Sequence, residues 1–141
     1  MQTPSIVFVG GGNMASALLG GLLRSGHDAA DVAVIEPLAA QRARLAQQFG
    51  ITTLAAPDAT LAGASLFVWA VKPQVFAEAA TPLASMSRDA LHLSVMAGIV
   101  CAAIERATGA ARIVRSMPNT PALIGRGIAG LYATPTVSAD E

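Results

Sequence analysis

Apolar and polar positions along this chain change in blocks, and each block has the length of one secondary-structure element. Ser5–Gly10 carries an unbroken run of β-branched and aromatic residues, Ile6-Val-Phe-Val9, which predicts a strand. Three glycines follow, and then a helix-prone stretch, Met14–Ser25, that Gly26 ends. The alternation repeats. Val32–Glu36 predicts a second strand. Ala39–Phe49 predicts a second helix, with apolar Leu38, Leu45 and Phe49, polar Gln41, Arg42 and Arg44, and a stop at Gly50. Ile51–Leu54 predicts a short third strand and Pro57–Leu61 a short helix. Leu66–Val71 is apolar throughout, as a strand buried on both faces requires. Pro73 opens a helix predicted to run to about Ala84. Leu91–Val95, Arg112–Met117 and Ile128–Ala133 read as further strands, and Val100–Thr108 as a helix closed by Gly109. Strands that alternate with helices predict an α/β fold, a doubly wound and mainly parallel sheet with helices on both faces.

The first turn sharpens that reading. Gly10, Gly12 and Ala15 fit G-x-G-x-x-G/A between a strand and a helix, the fingerprint of a Rossmann-type dinucleotide site. The first glycine permits the tight turn, the second lets a pyrophosphate approach the backbone, and the third small residue lets the helix pack on the strand. Free N–H groups and the helix dipole then favour phosphate. The second predicted strand ends in Glu36, 26 positions after Gly10. An acid at about that offset accepts hydrogen bonds from the adenosine ribose and repels a 2′-phosphate, which leans toward NADH. The alternative is that Glu36 turns to solvent and Arg42 or Arg44 meets a 2′-phosphate.

Ligands of an open α/β sheet bind at the carboxyl ends of its strands, so the remaining strand ends are the other candidates. Lys72, in Trp69-Ala-Val-Lys-Pro-Gln74, is the only lysine and stands at such an end, where an ammonium suits a phosphate, a ribose or a carboxylate; an ordinary surface lysine is the alternative. Ser94-Val-Met-Ala-Gly98 ends in small residues that leave room for a flat ring. Met117-Pro-Asn-Thr-Pro121 has two prolines that stiffen a loop offering Asn119 and Thr120; it suits the orientation of a nicotinamide or a small substrate, or serves only as a turn.

Composition narrows the classes. The chain has 141 residues, enough for one sizeable core, and a formal net charge of zero from nine basic and nine acidic residues. No basic stripe points to nucleic acid, no apolar run is long enough to span a bilayer, and Met1-Gln-Thr-Pro4 lacks the basic segment of a signal peptide. The single cysteine, Cys101, fits a reducing compartment and reads as a small buried apolar residue. His27 and His92 read as surface or structural residues. No Ser/His/Asp set, metal-ligand spacing or Walker A pattern is present. Ser138-Ala-Asp-Glu141 has the capping-box form S-x-x-E and predicts the start of a helix, so residues 1–137 are expected to form the dinucleotide-binding domain and 138–141 the lead into a further element.

Taken in order, Val9-Gly-Gly-Gly-Asn-Met-Ala15, Ala70-Val-Lys-Pro-Gln74, Val95-Met-Ala-Gly98 and Arg115-Ser-Met-Pro-Asn-Thr-Pro121 resemble the pyrroline-5-carboxylate reductase family over essentially the whole chain. The resemblance implies an oxidoreductase that passes a hydride from NADPH or NADH to 1-pyrroline-5-carboxylate, giving L-proline, in the cytoplasm. It implies that Val9, Gly10, Gly11, Gly12, Asn13, Met14, Ala15 and Glu36 hold the adenosine half of the cofactor. Ala70, Val71, Lys72, Pro73, Val95, Met96 and Ala97 then line its ribose and nicotinamide side, and Met117, Pro118, Asn119 and Thr120 lie at the substrate-side mouth. It also implies a helical second domain after Glu141 that supplies a substrate-binding hydroxyl and forms a homodimer or higher oligomer, so no catalytic acid is assigned here. Two positions depart from the family pattern. Many members prefer NADPH, so the resemblance leans toward NADPH, but Glu36 stands where their second strand often ends in a small polar residue, and Ala56-Pro-Asp58 replaces an Asn that reaches the ribose in some members. The alternatives are another NAD(P)-dependent reductase of similar layout, of the β-hydroxyacid or deazaflavin type, and a non-catalytic nucleotide-binding module.

Overall fold

A computed structural model describes residues 3–141, apart from the side chain of Thr120. Seven strands form one sheet: β1 (Ile6–Val9), β2 (Val32–Ile35), β3 (Thr52–Leu54), β4 (Leu66–Trp69), β5 (Leu91–Ser94), β6 (Ile113–Met117) and β7 (Gly130–Ala133). Their order is β3-β2-β1-β4-β5-β6-β7. The first six are parallel, and β7 runs antiparallel to β6. The α-helices are α1 (Asn13–Arg24), α2 (Ala39–Phe49), α3 (Phe76–Ala80), α4 (Ala84–Ser87) and α5 (Cys101–Thr108). The order reverses between β1 and β4, and that is where a doubly wound sheet opens a crevice.

The apolar runs of the strands are explained by two cores, one on each face. Ile6, Phe8, Val32, Val34 and Val68 pack with Ala15, Leu19 and Leu45 from α1 and α2. The alternate residues Val7, Val9, Ala33, Ile35, Phe67, Trp69 and Ile113 pack with Phe76, Ala80, Leu83 and Ile104. Successive side chains of a strand point to opposite faces, so a strand covered on both sides must be apolar at every position. Burying each such side chain contributes roughly 1.5–3 kcal/mol.

Three expectations need correction. The helix predicted from Pro73 to about Ala84 is four short pieces: a 3₁₀ turn at Pro73–Val75, α3, a 3₁₀ turn at Thr81–Leu83, and α4. Pro82 has no N–H to give the carbonyl of Glu78, so the α-helix breaks there. The helix expected at Pro57–Leu61 is a 3₁₀ turn at Ala59–Leu61, capped by the side chain of Asp58 on the N–H of Thr60 at 2.9 Å. Cys101 is half-buried at the margin of the α5-side core. His27 is exposed, and His92 is fully buried.

Candidate cofactor site

The turn after β1 is built by three glycines with three different reasons. Gly10 has φ +98°, and a Cβ there would lie 2.6 Å from the carbonyl oxygen of Ala70 and 3.0 Å from Val71 Cγ1. Only glycine fits, and its position brings the ends of β1 and β4 together. Gly11 is hemmed in from the other side, since a Cβ would lie 2.6 Å from Leu45 Cδ1. Gly12 is exposed, and a Cβ there would meet nothing within 4 Å. The space over Gly12 is therefore open, as a cradle for a phosphate requires. Gly12 is also the N-cap of α1, which has no side-chain cap and no acidic residue in its first turn. The leading N–H groups of α1 are left for a ligand, at the positive end of its dipole. Ala15 is fully buried against the sheet, the close packing its small side chain allows.

Glu36 follows directly on β2 and is 9% exposed. Its Oε2 accepts the N–H of Gly11 at 3.1 Å and its Oε1 the N–H of Leu38 at 2.9 Å. Each carboxylate oxygen keeps a lone pair that a second donor can use. Arg42, half-buried on α2, donates from Nη1 to the carbonyl oxygens of Glu36, at 2.8 Å, and Pro37, at 2.6 Å. Nε2 of Gln41 donates to the carbonyl of Gly11. In the sequence Gln41 stands out only as a polar helix position; a side-chain amide in the first turn of the helix after the strand-end acid is the signal that marks it.

The other strand ends stand along the same carboxyl edge. Ala70 continues β4 against the Gly turn, its N–H bonded to the carbonyl of Val9 at 2.9 Å. Lys72 is exposed, Pro73 starts the 3₁₀ turn, and Val71 is half-buried. Val95 donates to the carbonyl of Trp69 at 3.1 Å, which sets the β5 end beside the β4 end. Ala97 and Gly98 are exposed there, whereas the side chain of Met96 turns into the core at 2% exposure. Met117 and Asn119 are exposed and Pro118 half-buried. Oδ1 of Asn119 accepts the N–H of Ile128 at 3.0 Å and so closes the loop that contains the 3₁₀ turn Thr120–Ile124. Thr120 opens that turn, and its side chain lies outside the described residues. An apolar hollow of about 470 Å³ lies away from the Gly turn, between α1, the β1–β4–β5 face and this loop.

Among the described residues no group of three or more His, Cys, Asp or Glu side chains could hold a metal, and no helix is long and apolar enough to cross a membrane. The site is a set of backbone donors, one acid and small residues, which suits holding a phosphorylated, flat-ringed ligand rather than proton or nucleophile chemistry.

Known proteins are similar to this chain in sequence and in fold. The family described as NADP oxidoreductase, coenzyme F420-dependent, matches residues 5–98. The chain is 43% identical to a pyrroline-5-carboxylate reductase of Pseudomonas aeruginosa over 143 aligned residues, covering 100% of this chain and 52% of that protein. It is 39% identical to the reductase of the same name from Haemophilus influenzae, covering 98% of this chain and 51% of that one. Among solved structures it is similar to a pyrroline-5-carboxylate reductase from Coxiella burnetii (TM-score 0.90, 32% identity, 99% of this chain and 53% of that one). It also shares the fold of a Plasmodium falciparum pyrroline carboxylate reductase with NADP bound (TM-score 0.81, 22% identity, 99% and 52% covered). The chain thus spans about half the length of the curated relatives it matches. A β-turn-α cradle on a seven-stranded Rossmann-type sheet and this sequence match agree: the chain belongs to the NADP oxidoreductase, coenzyme F420-dependent, family.

Proposed function

We propose that this chain is the cofactor-binding half of a pyrroline-5-carboxylate reductase, which forms L-proline from 1-pyrroline-5-carboxylate. The observation that carries the reading is the match along the whole chain to reductases of that name, at up to 43% identity. The open space over Gly12 supports it. NAD(P)H supplies the hydride, which goes to the C=N carbon while nitrogen takes a proton. The chain's own task is to hold and align: Gly10–Ala15 and Glu36 the adenosine half, Ala70–Pro73 and Val95–Ala97 the ribose and nicotinamide side, and Met117–Thr120 the substrate mouth. Alignment of this kind can supply roughly 7–11 kcal/mol of the barrier. A protonated imine is already electrophilic, so no residue here is given the role of general acid. Residues 1–137 serve as the dinucleotide domain, and Ser138–Glu141 as the N-cap of a helix leading to a substrate and dimerisation domain. Reciprocal bonds support the cap: Ser138 N–H to Glu141 Oε2 at 2.9 Å and Glu141 N–H to Ser138 Oγ at 3.4 Å. The Ser138 N–H, with the Ser138 hydroxyl and nearby Arg112, holds the Glu141 carboxyl below its usual range. The compartment this implies is the cytoplasm, and the assembly a homodimer or higher oligomer.

Between the two cofactors, Glu36 favours NADH. Its charge opposes a 2′-phosphate, and its unused lone pairs suit ribose hydroxyls. Fluorescence titration of this chain is expected to give NADH the lower Kd, by about tenfold. Glu36→Ser should bring the two Kd values together; taking their ratio cancels any common loosening of the Gly turn. Tighter NADPH binding by the wild type would assign the ribose end to Arg42 or Arg44 instead. Absence of binding by either nucleotide would remove the dinucleotide reading altogether.

The family description favours one further reading, a reductase of coenzyme F420, a deazaflavin. Its match ends at residue 98, ahead of Met117–Thr120, and so speaks to the dinucleotide half. Assay of a protein that joins this chain to a reductase carboxyl half, with 1-pyrroline-5-carboxylate and with F420 in parallel, separates the two.

A further inference from the structure

Both polar groups of Gly11 are taken by side chains from beyond the turn. Its N–H donates to Glu36 Oε2 at 3.1 Å, and its carbonyl accepts from Gln41 Nε2. Glu36 stands at the end of β2 and Gln41 in the first turn of α2, so the β2–α2 corner grips one peptide unit from two sides. Leu45, one helical turn after Gln41, packs over the same glycine, its Cδ1 2.6 Å from where a Cβ would lie.

The grip has a consequence for the next residue. The carbonyl of Gly11 and the N–H of Gly12 belong to the same planar trans peptide, in which they point in opposite directions. A carbonyl held toward α2 aims the Gly12 N–H away from α2. The space around Gly12 is open, and the uncapped first turn of α1 begins there. A donor fixed in advance needs no ordering when an anion arrives, and that saving appears as affinity.

We infer that Gln41 is a positioning residue for the cofactor's pyrophosphate: it orients the Gly12 amide by holding the carbonyl of Gly11. This rests on the NAD(P)H reading above. The residue type suits the task. A side-chain amide donates without bringing a charge, so it orients the peptide without itself attracting phosphate. A glutamate of the same shape would present an acceptor to a carbonyl.

The test compares wild type, Gln41→Ala, Gln41→Glu and a control on the same helix, Gln47→Ala, whose side chain is exposed. Each is titrated with NADH and NADPH, and NADH is displaced with ADP, which has a pyrophosphate, and with adenosine, which has none. Thermal melts and the amide resonance of Gly12 in the unliganded protein are recorded alongside. Both Gln41 variants should weaken NADH, NADPH and ADP alike, by about tenfold. The adenosine dissociation constant should not change, the melting temperature should fall by no more than the few degrees that one half-buried hydrogen bond costs, and the Gly12 resonance should shift or broaden. Wild-type affinity in Gln41→Ala overturns the inference and leaves the cofactor reading intact. A loss shared by adenosine, or a fall in melting temperature well beyond those few degrees, also overturns it by making Gln41 merely structural. Failure of the wild type to bind NADH, NADPH and ADP overturns both readings.

Discussion

Gly12→Asp is expected to lower NADH affinity by about 100-fold or more, roughly 2.8 kcal/mol, without lowering the melting temperature. Gly12 is the N-cap of α1, and aspartate is among the best residues at that place. Its φ of −77° is open to any residue, and nothing stands within 4 Å of a Cβ there. The fold therefore accepts the substitution, and the new carboxylate satisfies the first-turn N–H groups. Those are the groups a pyrophosphate needs, and the added charge repels it. Gly10→Ala should do the reverse. Its φ of +98° and the approach of the Ala70 carbonyl to 2.6 Å make the cost one of folding, about 2–5 kcal/mol. Two glycines two positions apart thus separate in a paired measurement of melting temperature and NADH titration. Unchanged NADH binding in Gly12→Asp would show that phosphate does not sit at this turn.

Stability is expected to fall as pH drops below about 6.5, well before ordinary carboxylates titrate. The cause is His92 on β5, fully buried between Phe67 and Trp69. Trp69 Nε1–H donates to His92 Nδ1 at 2.8 Å, so Nδ1 carries no proton, and Nε2–H donates to the carbonyl of Ser87 at 2.7 Å. Burial depresses the imidazole pKa first. The Ser87 bond works against that, and the charge of Arg112 adds to the depression. In the unfolded chain His92 takes its proton near its ordinary value; in the folded chain it does so only at lower pH. Between the two values the unfolded state binds more protons. The full contribution is present above the unfolded pKa and is lost as pH falls toward the folded one, with a slope of at most about 1.4 kcal/mol per pH unit. Urea melts at pH 7.5, 6.5 and 5.5, followed by the single tryptophan, measure it. His92→Gln should be less stable at pH 7.5 and flatter below it; a wild type whose stability is level from pH 7.5 to 5.5 would remove His92 as the cause.

Much of this was legible in the sequence, for identifiable reasons. Strands buried on both faces must be apolar at consecutive positions, so Ile6–Val9 and Leu66–Trp69 announced themselves. Gly50 and Gly109 close α2 and α5 in left-handed conformations that favour glycine, which fixed those ends. Gly10, Gly12 and Ala15 carry a local backbone requirement, and local requirements are written in consecutive residues. The break in the helix after Pro73 was less legible, because Pro82 acts by withholding one hydrogen bond from a turn already begun.

What the sequence could not hold is which distant groups meet. The antiparallel placement of β7, the burial of Met96 at the edge that exposes Ala97, and the pairing of Trp69 with His92 all depend on how separate elements pack. The grip of Glu36 and Gln41 on Gly11 spans 25 and 30 residues. The sequence by itself determined the strand–turn–helix unit and its glycines, because φ, chain reach and side-chain periodicity act over a few residues. Only the tertiary structure decided which amide is held and by what, because a hydrogen bond needs two groups within about 3 Å, and only packing brings such distant residues that close.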